Sequence, residues 1–319
     1  MNKIRVILVI TILITSSYCA GSETVKNLAP DAEKIVLNGM ESPDGRIRAN
    51  AIEVVASGQK IEIMPKVVEL LNDADMPVRF AAAVAIGDMR YKAGEKKLVQ
   101  MLKDSDLNVV IAAAYALCKL GNQEYLAMIE SAAGTDDQTV KANAAMLLGK
   151  LKSKSSLPLL YKLKDDPDAS DIVAFNAVEA IARIGDDKIY SKIWTMLISV
   201  YADDRYIGVQ AMGALGGVKG ANAIITLLDD DVVEVRLAAA EELGMLGEAS
   251  GQIVVLEYLN SPEAAEKETV ERRNTLAALA IGQIGTESLT AHLPKLLKND
   301  SPFVRLAAAK SVFILTKGR

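Results

Sequence analysis

The stretch GEKKLVQMLKDSDLNVVIAAAYALCKLG, residues 94–121, decides the fold. Leu98, Met101 and Leu102 fall at helical spacing and make one apolar stripe. Asp104, Ser105 and Asp106 then read as a turn, because short polar side chains accept backbone N–H groups and cap a following helix. Val109, Ala113, Leu117 and Leu120 form a second stripe. Gly121 ends it, since glycine readily takes the left-handed conformation of a helix terminus. The stretch is helix, turn, helix.

The same pattern runs through the chain. Ala51, Ala82, Ala113, Ala144, Ala177, Ala211, Ala239, Ala277 and Ala308 each precede an aliphatic residue by four positions. Residues four apart share a helix face, so a small residue admits a neighbouring helix and the large one fills the space beside it. Taking the residue four before each alanine as the anchor, from Ile47 to Val304, the steps are 31, 31, 31, 33, 34, 28, 38 and 31 residues. This spacing predicts an all-α solenoid, an armadillo-like α/α superhelix of about nine two-helix repeats over residues 30–319. The step of 38 marks an insertion at 261–273, expected to be a longer turn or a helix extension. Packed helix pairs at about 8–10 Å per unit predict an open arc on the order of 80 Å. Its concave face would present Glu53, Tyr115, Met146, Glu179, Glu241 and Lys310. Neither end shows a polar cap, and the last helix, 304–317, is apolar on one face. End-to-end self-association is therefore an expectation.

The segments DADMPVRFAAAVAIGDM (73–89), DDDVVEVRLAAAEELGMLG (229–247) and NDSPFVRLAAAKSVFIL (299–315) resemble HEAT repeats. They are most similar to the short bacterial type first associated with phycobilisome lyases. The resemblance implies a surface for binding proteins. It also implies a structural ladder between turn acids and the basic residue after the anchor, with candidates Asp75 and Arg79, Asp231 and Arg236, Asp300 and Arg305, and Asp137 and Lys141. Gly208 and Asn274 stand where that basic residue usually is.

Residues 1–19 have the layout of an export signal. Lys3 and Arg5 precede an apolar run from Val6 to Ile14, too short for a bilayer, and polar residues follow. Residues 20–29 then form a short tether. Two processing routes remain open. General signal peptidase could cut among the small residues near Ser17, Cys19 and Gly21. Alternatively Cys19 becomes a lipidated first residue, although Ser16, Ser17 and Tyr18 depart from the usual lipoprotein motif. The expected location is the periplasm or outer envelope, with membrane contact only through that lipid.

Little chemistry is written in the chain. His292 is the sole histidine, which excludes multi-histidine metal sites. Cys118 lies in a core position, no phosphate-loop motif occurs, and no catalytic, metal or cofactor site is expected. The net charge is −5, or −7 once Lys3 and Arg5 are removed. Phosphate backbones need clustered Lys and Arg, so nucleic acid is not an expected partner. Tyr190, Trp194, Tyr201 and Tyr206 place four of the chain's 14 aromatic residues within 17 positions. Such residues concentrate interface energy, which makes them the candidate partner site, although they could equally fill space left by Gly208 and Gly213. The reading is a non-enzymatic protein-binding scaffold or adaptor at the bacterial envelope. The alternative is a lyase-like or chaperone-like accessory subunit that holds a substrate for another enzyme.

Overall fold

A computed structural model of the protein describes residues 23–261 and 264–317. The export signal and Cys19 lie outside the described residues. The architecture is all-helical. Nine inner helices recur: α2 (Gly45–Ser57), α4 (Met76–Asp88), α6 (Leu107–Leu120), α8 (Gln138–Leu151), α10 (Asp171–Ile184), α12 (Ala202–Leu215), α14 (Val233–Met245), α16 (Lys267–Ile284) and α19 (Pro302–Thr316). Shorter outer helices alternate with them: α1 (Ala29–Met40), α3 (Met64–Glu69), α5 (Glu95–Met101), α7 (Leu126–Ala132), α9 (Leu157–Asp165), α11 (Tyr190–Leu197), α13 (Gly217–Ile225), α15 (Gln252–Asn260), and the pair α17 (Glu287–Thr290) and α18 (Leu293–Leu296).

Local sequence sets these boundaries. The carboxylates of Asp44, Asp106 and Asp137 accept the N–H groups that open α2, α6 and α8. Gly121, Gly185 and Gly285 end α6, α10 and α16 with positive φ. The insertion at 261–273 lengthens α16 to 18 residues. All nine repeat alanines are fully buried.

The array closes on itself. Each inner helix packs on the next, and α19 packs on both α1 and α2. One apolar core runs continuously from the last units into the first, joining Leu306, Val312 and Phe313 to Val36, Ala51 and Val55. The expected open arc is therefore a ring, and the apolar face of the last helix is covered by the chain's own first unit. Curvature comes from small residues. A β-carbon on Gly149 would lie 2.6 Å from Ala180 Cα, and one on Gly87 would lie 2.8 Å from Ala116 Cα. Consecutive inner helices approach closely at these points while larger side chains fill the opposite side. Nine such wedges of about 40° complete a turn.

An arginine ladder fixes the stacking, with a register different from the expected one. Arg48 reaches Asp73 at 2.7 Å, Arg79 reaches Asp104 at 3.0 Å and Arg205 reaches Asp230 at 2.6 Å. Each acid lies 25 residues ahead, in the next unit. Each arginine also donates back to carbonyls of its own turn, as Arg79 does to Asp73 and Ala74. The carboxylate of Asp75 accepts from Arg48 of the preceding unit rather than from Arg79, and that of Asp231 accepts from Arg205 of the preceding unit. Arg236 and Arg305 bind the main-chain carbonyls of Asp231 and Asp300. Lys141 sits 3.9 Å from Asp166, while Asp137 caps α8. The reason is reach. An arginine on the first turn of an inner helix points along the stacking direction, where the next turn lies, and its other nitrogens are free for its own carbonyls.

Candidate functional site

Tyr190, Trp194 and Ile198 stand at i, i+4 and i+8 along α11 and its end, so they share one face. That face points outward. Ile198 is 64 % exposed, and the following turn adds Val200 at 85 % and Tyr201 at 71 %. Scattered apolar side chains need no explanation, but a row of large ones on consecutive turns is a feature of interaction surfaces. The Tyr190 and Trp194 rings stack with centroids 6.3 Å apart. Lys219, from α13, holds its ammonium 3.6 Å above the Tyr190 ring centre. These contacts hold the aromatic pair in one orientation. Helix α11 carries Lys192 and no carboxylate, and Lys192 lies on the far side of the helix from the row. Ile193, Met196 and Leu197 on its opposite side anchor it in the core.

Tyr206 is separated from this group. It sits one turn into α12, half-buried, under the Arg272 guanidinium at 5.2 Å. Burial and then the Glu241 charge push its hydroxyl's pKa up. The four sequence-marked aromatics thus divide between an exterior group of three and an interior one. Sequence reasoning missed Ile198, Val200 and Val218, because an exposed aliphatic residue at a helix end looks like any other apolar residue in a 50 % hydrophobic chain.

The interior of the ring is polar. Residues of non-adjacent helices meet there: Lys150 on α8 reaches Asp88 on α4 at 3.0 Å, past α6. Tyr115, expected on an exposed concave face, is instead fully buried and donates its hydroxyl to Asp88. Lys310 pairs with Glu53 at 3.2 Å across the closure. Glu241 and Glu242 are enclosed nearby. Burial is the main cause that raises Glu241 to about 7, with Glu53 adding and Lys310 opposing. Burial, then the charges of Glu241 and Glu179, raises Glu242 to about 8. Gly213 leaves room for the Glu242 carboxylate, which a β-carbon there would strike. Cys118 is buried, and its thiol is pushed up to about 11 by burial and Glu124, the opposite of an activated nucleophile. Among the described residues no group of three or more His, Cys, Asp or Glu could hold a metal ion, and no helix is long and apolar enough to cross a membrane.

These features define an all-α solenoid, and part of it carries recognisable HEAT repeats. The family profile for HEAT repeats matches residues 64–142, 95–182 and 127–206. Among curated proteins no sequence matches. Solved structures similar in fold include the complex of the phycocyanin lyase subunits CpcE and CpcF from Nostoc, at 20 % identity and a TM-score of 0.45, covering 80 % of this chain and 93 % of that one. Human deoxyhypusine hydroxylase is similar at 16 % identity and a TM-score of 0.42, covering 82 % of this chain and 98 % of its own. Importin beta is similar at 17 % identity and a TM-score of 0.36, covering 91 % of this chain and 47 % of that one.

Proposed function

We propose that the protein is a non-enzymatic scaffold at the bacterial cell envelope that docks an apolar, acidic segment of another protein along Tyr190, Trp194, Ile198 and Tyr201. The carrying observation is the exposed apolar row on α11 and the turn after it, with Lys219 at its edge. Such a row offers apolar area to a partner helix or strand, while the Lys219 ammonium favours a carboxylate at its margin. The export signal read at residues 1–19 supports the envelope, and lipid attachment at Cys19 would hold the ring at a membrane.

The test is a photo-reactive amino acid at position 194 of the full-length protein in its native cells. We expect one dominant adduct, whose attached peptide carries apolar residues flanked by Asp or Glu. The adduct should vanish in Ile198→Asp while helical circular dichroism is retained. No adduct, or the same adducts from a probe at Ile253 on a different unit, would overturn the docking reading. Fractionation with lipid labelling of wild type and Cys19→Ser tests the location separately. Protein that stays with the cytoplasmic fraction would remove the envelope from the proposal.

A further inference from the structure

A groove of about 680 Å³ opens where α4, α6 and α8 end. Arg90, Lys92, Lys119, Lys152 and Lys154 line it, and no carboxylate does. Such a concentration is unexpected in a chain of net charge −5. Helix C-termini attract cations, but each carries only about half a unit of negative charge, so three ends offset roughly 1.5 of the five. None of the five cations makes an ion pair among the described residues. Asp88 is engaged by Tyr115 and Lys150, and exposed Glu124 follows Gln123 at the border.

The ends of α10, α14 and α16 differ in composition from those of α4, α6 and α8. Arg90, Gly121 and Lys152 occupy equivalent positions, 31 residues apart, all with positive φ. The corresponding places at the ends of α10, α14 and α16 hold Gly185, Gly247 and Gly285. Those glycines are followed by Asp186 and Asp187, by Glu248, and by Glu287 two positions on. Here Arg90 and Lys152 take a left-handed backbone that favours glycine, and Lys92 and Lys154 follow two residues later. Ser153 and Ser155 add hydroxyls. Leu120, Leu126 and Leu151 give the groove an apolar side.

We infer that this groove binds a small organic diphosphate, its phosphates held by the five cations and its organic body against the three leucines. Lysine ammonium groups act as point charges toward phosphate, and arginine adds a bidentate fork. The inference is independent of the docking surface on α11.

The experiment is calorimetric titration of the full-length protein with inorganic pyrophosphate, a nucleoside diphosphate and phosphatidylglycerol vesicles. Both soluble phosphates should bind one per chain, the nucleoside compound more tightly, and both should weaken as salt is raised. The double change Arg90→Glu with Lys152→Glu should weaken both by at least about tenfold with helical circular dichroism unchanged. The control pair Lys295→Glu with Lys298→Glu, equal in charge on the last unit, should stay within about twofold. Equal losses in the two variants would mean diffuse attraction and overturn the site. So would binding of vesicles alone, which indicates an anionic surface rather than a ligand, or no binding of either soluble phosphate.

Discussion

The junction between α8 and α10 and the seam between α19 and the first unit are both helix-on-helix contacts, yet they are built differently. At the ordinary junction Gly149 meets Ala180, small against small. The turns of such junctions are tied by arginines to acids 25 residues ahead. At the seam Phe313 presses on Gly58, where a β-carbon would lie 2.6 Å from the ring, and Leu306 lies against Gly39. Lys60 covers Phe313 at 4.5 Å and Lys310 pairs with Glu53. Among the described residues no ladder crosses it: Arg305 donates to the carbonyls of its own turn. Elsewhere the chain itself tethers the two faces. At the seam only side chains do, so large apolar groups replace the small ones there.

The largest effect should come from the seam. Phe313→Ala empties a fully packed site and should cost about 3–5 kcal/mol if the seam melts with the rest. Units in an array contact only their neighbours, so the loss should concentrate in α1, α2 and α19. Hydrogen exchange would show those helices opening while α8 and α10 stay protected. Uniform loss of protection would mean the ring unfolds as one unit. Gly149→Val makes the converse case. It overpacks an interior junction by about 1–3 kcal/mol or more, and should lower the melting temperature without selectively exposing the seam.

The legible part of the fold is what repeats. The alanine and aliphatic pairs gave the inner helices, the turn acids gave their starts, and the glycines gave their ends. Closure was hidden because it depends on Phe313 and Gly58, which break the pattern instead of following it: Phe313 stands where Gly87, Gly149 and Gly244 stand, and Gly58 where Leu120 and Leu151 stand. The ladder was legible in its members and not in its register, since sequence separation within a turn says nothing about reach into the next one. The candidate site divided for a related reason. Tyr206 and Tyr201 are five apart around a helix start, which turns one inward and leaves the other outside.

The enclosed carboxylates set the pH behaviour of the interior. Glu241 and Glu242 have folded pKa values of about 7 and about 8, above the ordinary 4.5. Between 4.5 and those values the folded state binds more protons at these two sites than the unfolded chain, so their contribution to stability is fullest below pH 4.5 and is lost as pH rises through 7 and 8. Glu242→Gln should therefore stabilise the protein on the order of 2 kcal/mol at pH 9 and do almost nothing near pH 4. The ladder acids run the other way. Burial opposes ionisation of Asp104, but Arg79 and the Asp106 N–H outweigh it and lower its pKa, so that contribution fades only in acid. Arg79→Ala, which leaves Asp104 partly buried without its partner, should cost about 1–3 kcal/mol at neutral pH by urea denaturation and less near pH 3.

The smallest effect sharpens the comparison most. Among the described residues Lys310 and Glu53 form the one ion pair across the seam, but the Glu53 side chain is 64 % exposed. Water screens it, and an exposed pair contributes roughly 0–1 kcal/mol. Lys310 also faces Glu241, whose ionised form it favours. Lys310→Met should thus leave the melting temperature nearly unchanged at pH 5, where Glu241 is protonated, and lower it at pH 8, where that carboxylate loses its nearest counter-charge. A large loss at both pH values would mean that the ion pair, rather than Phe313, holds the ring shut.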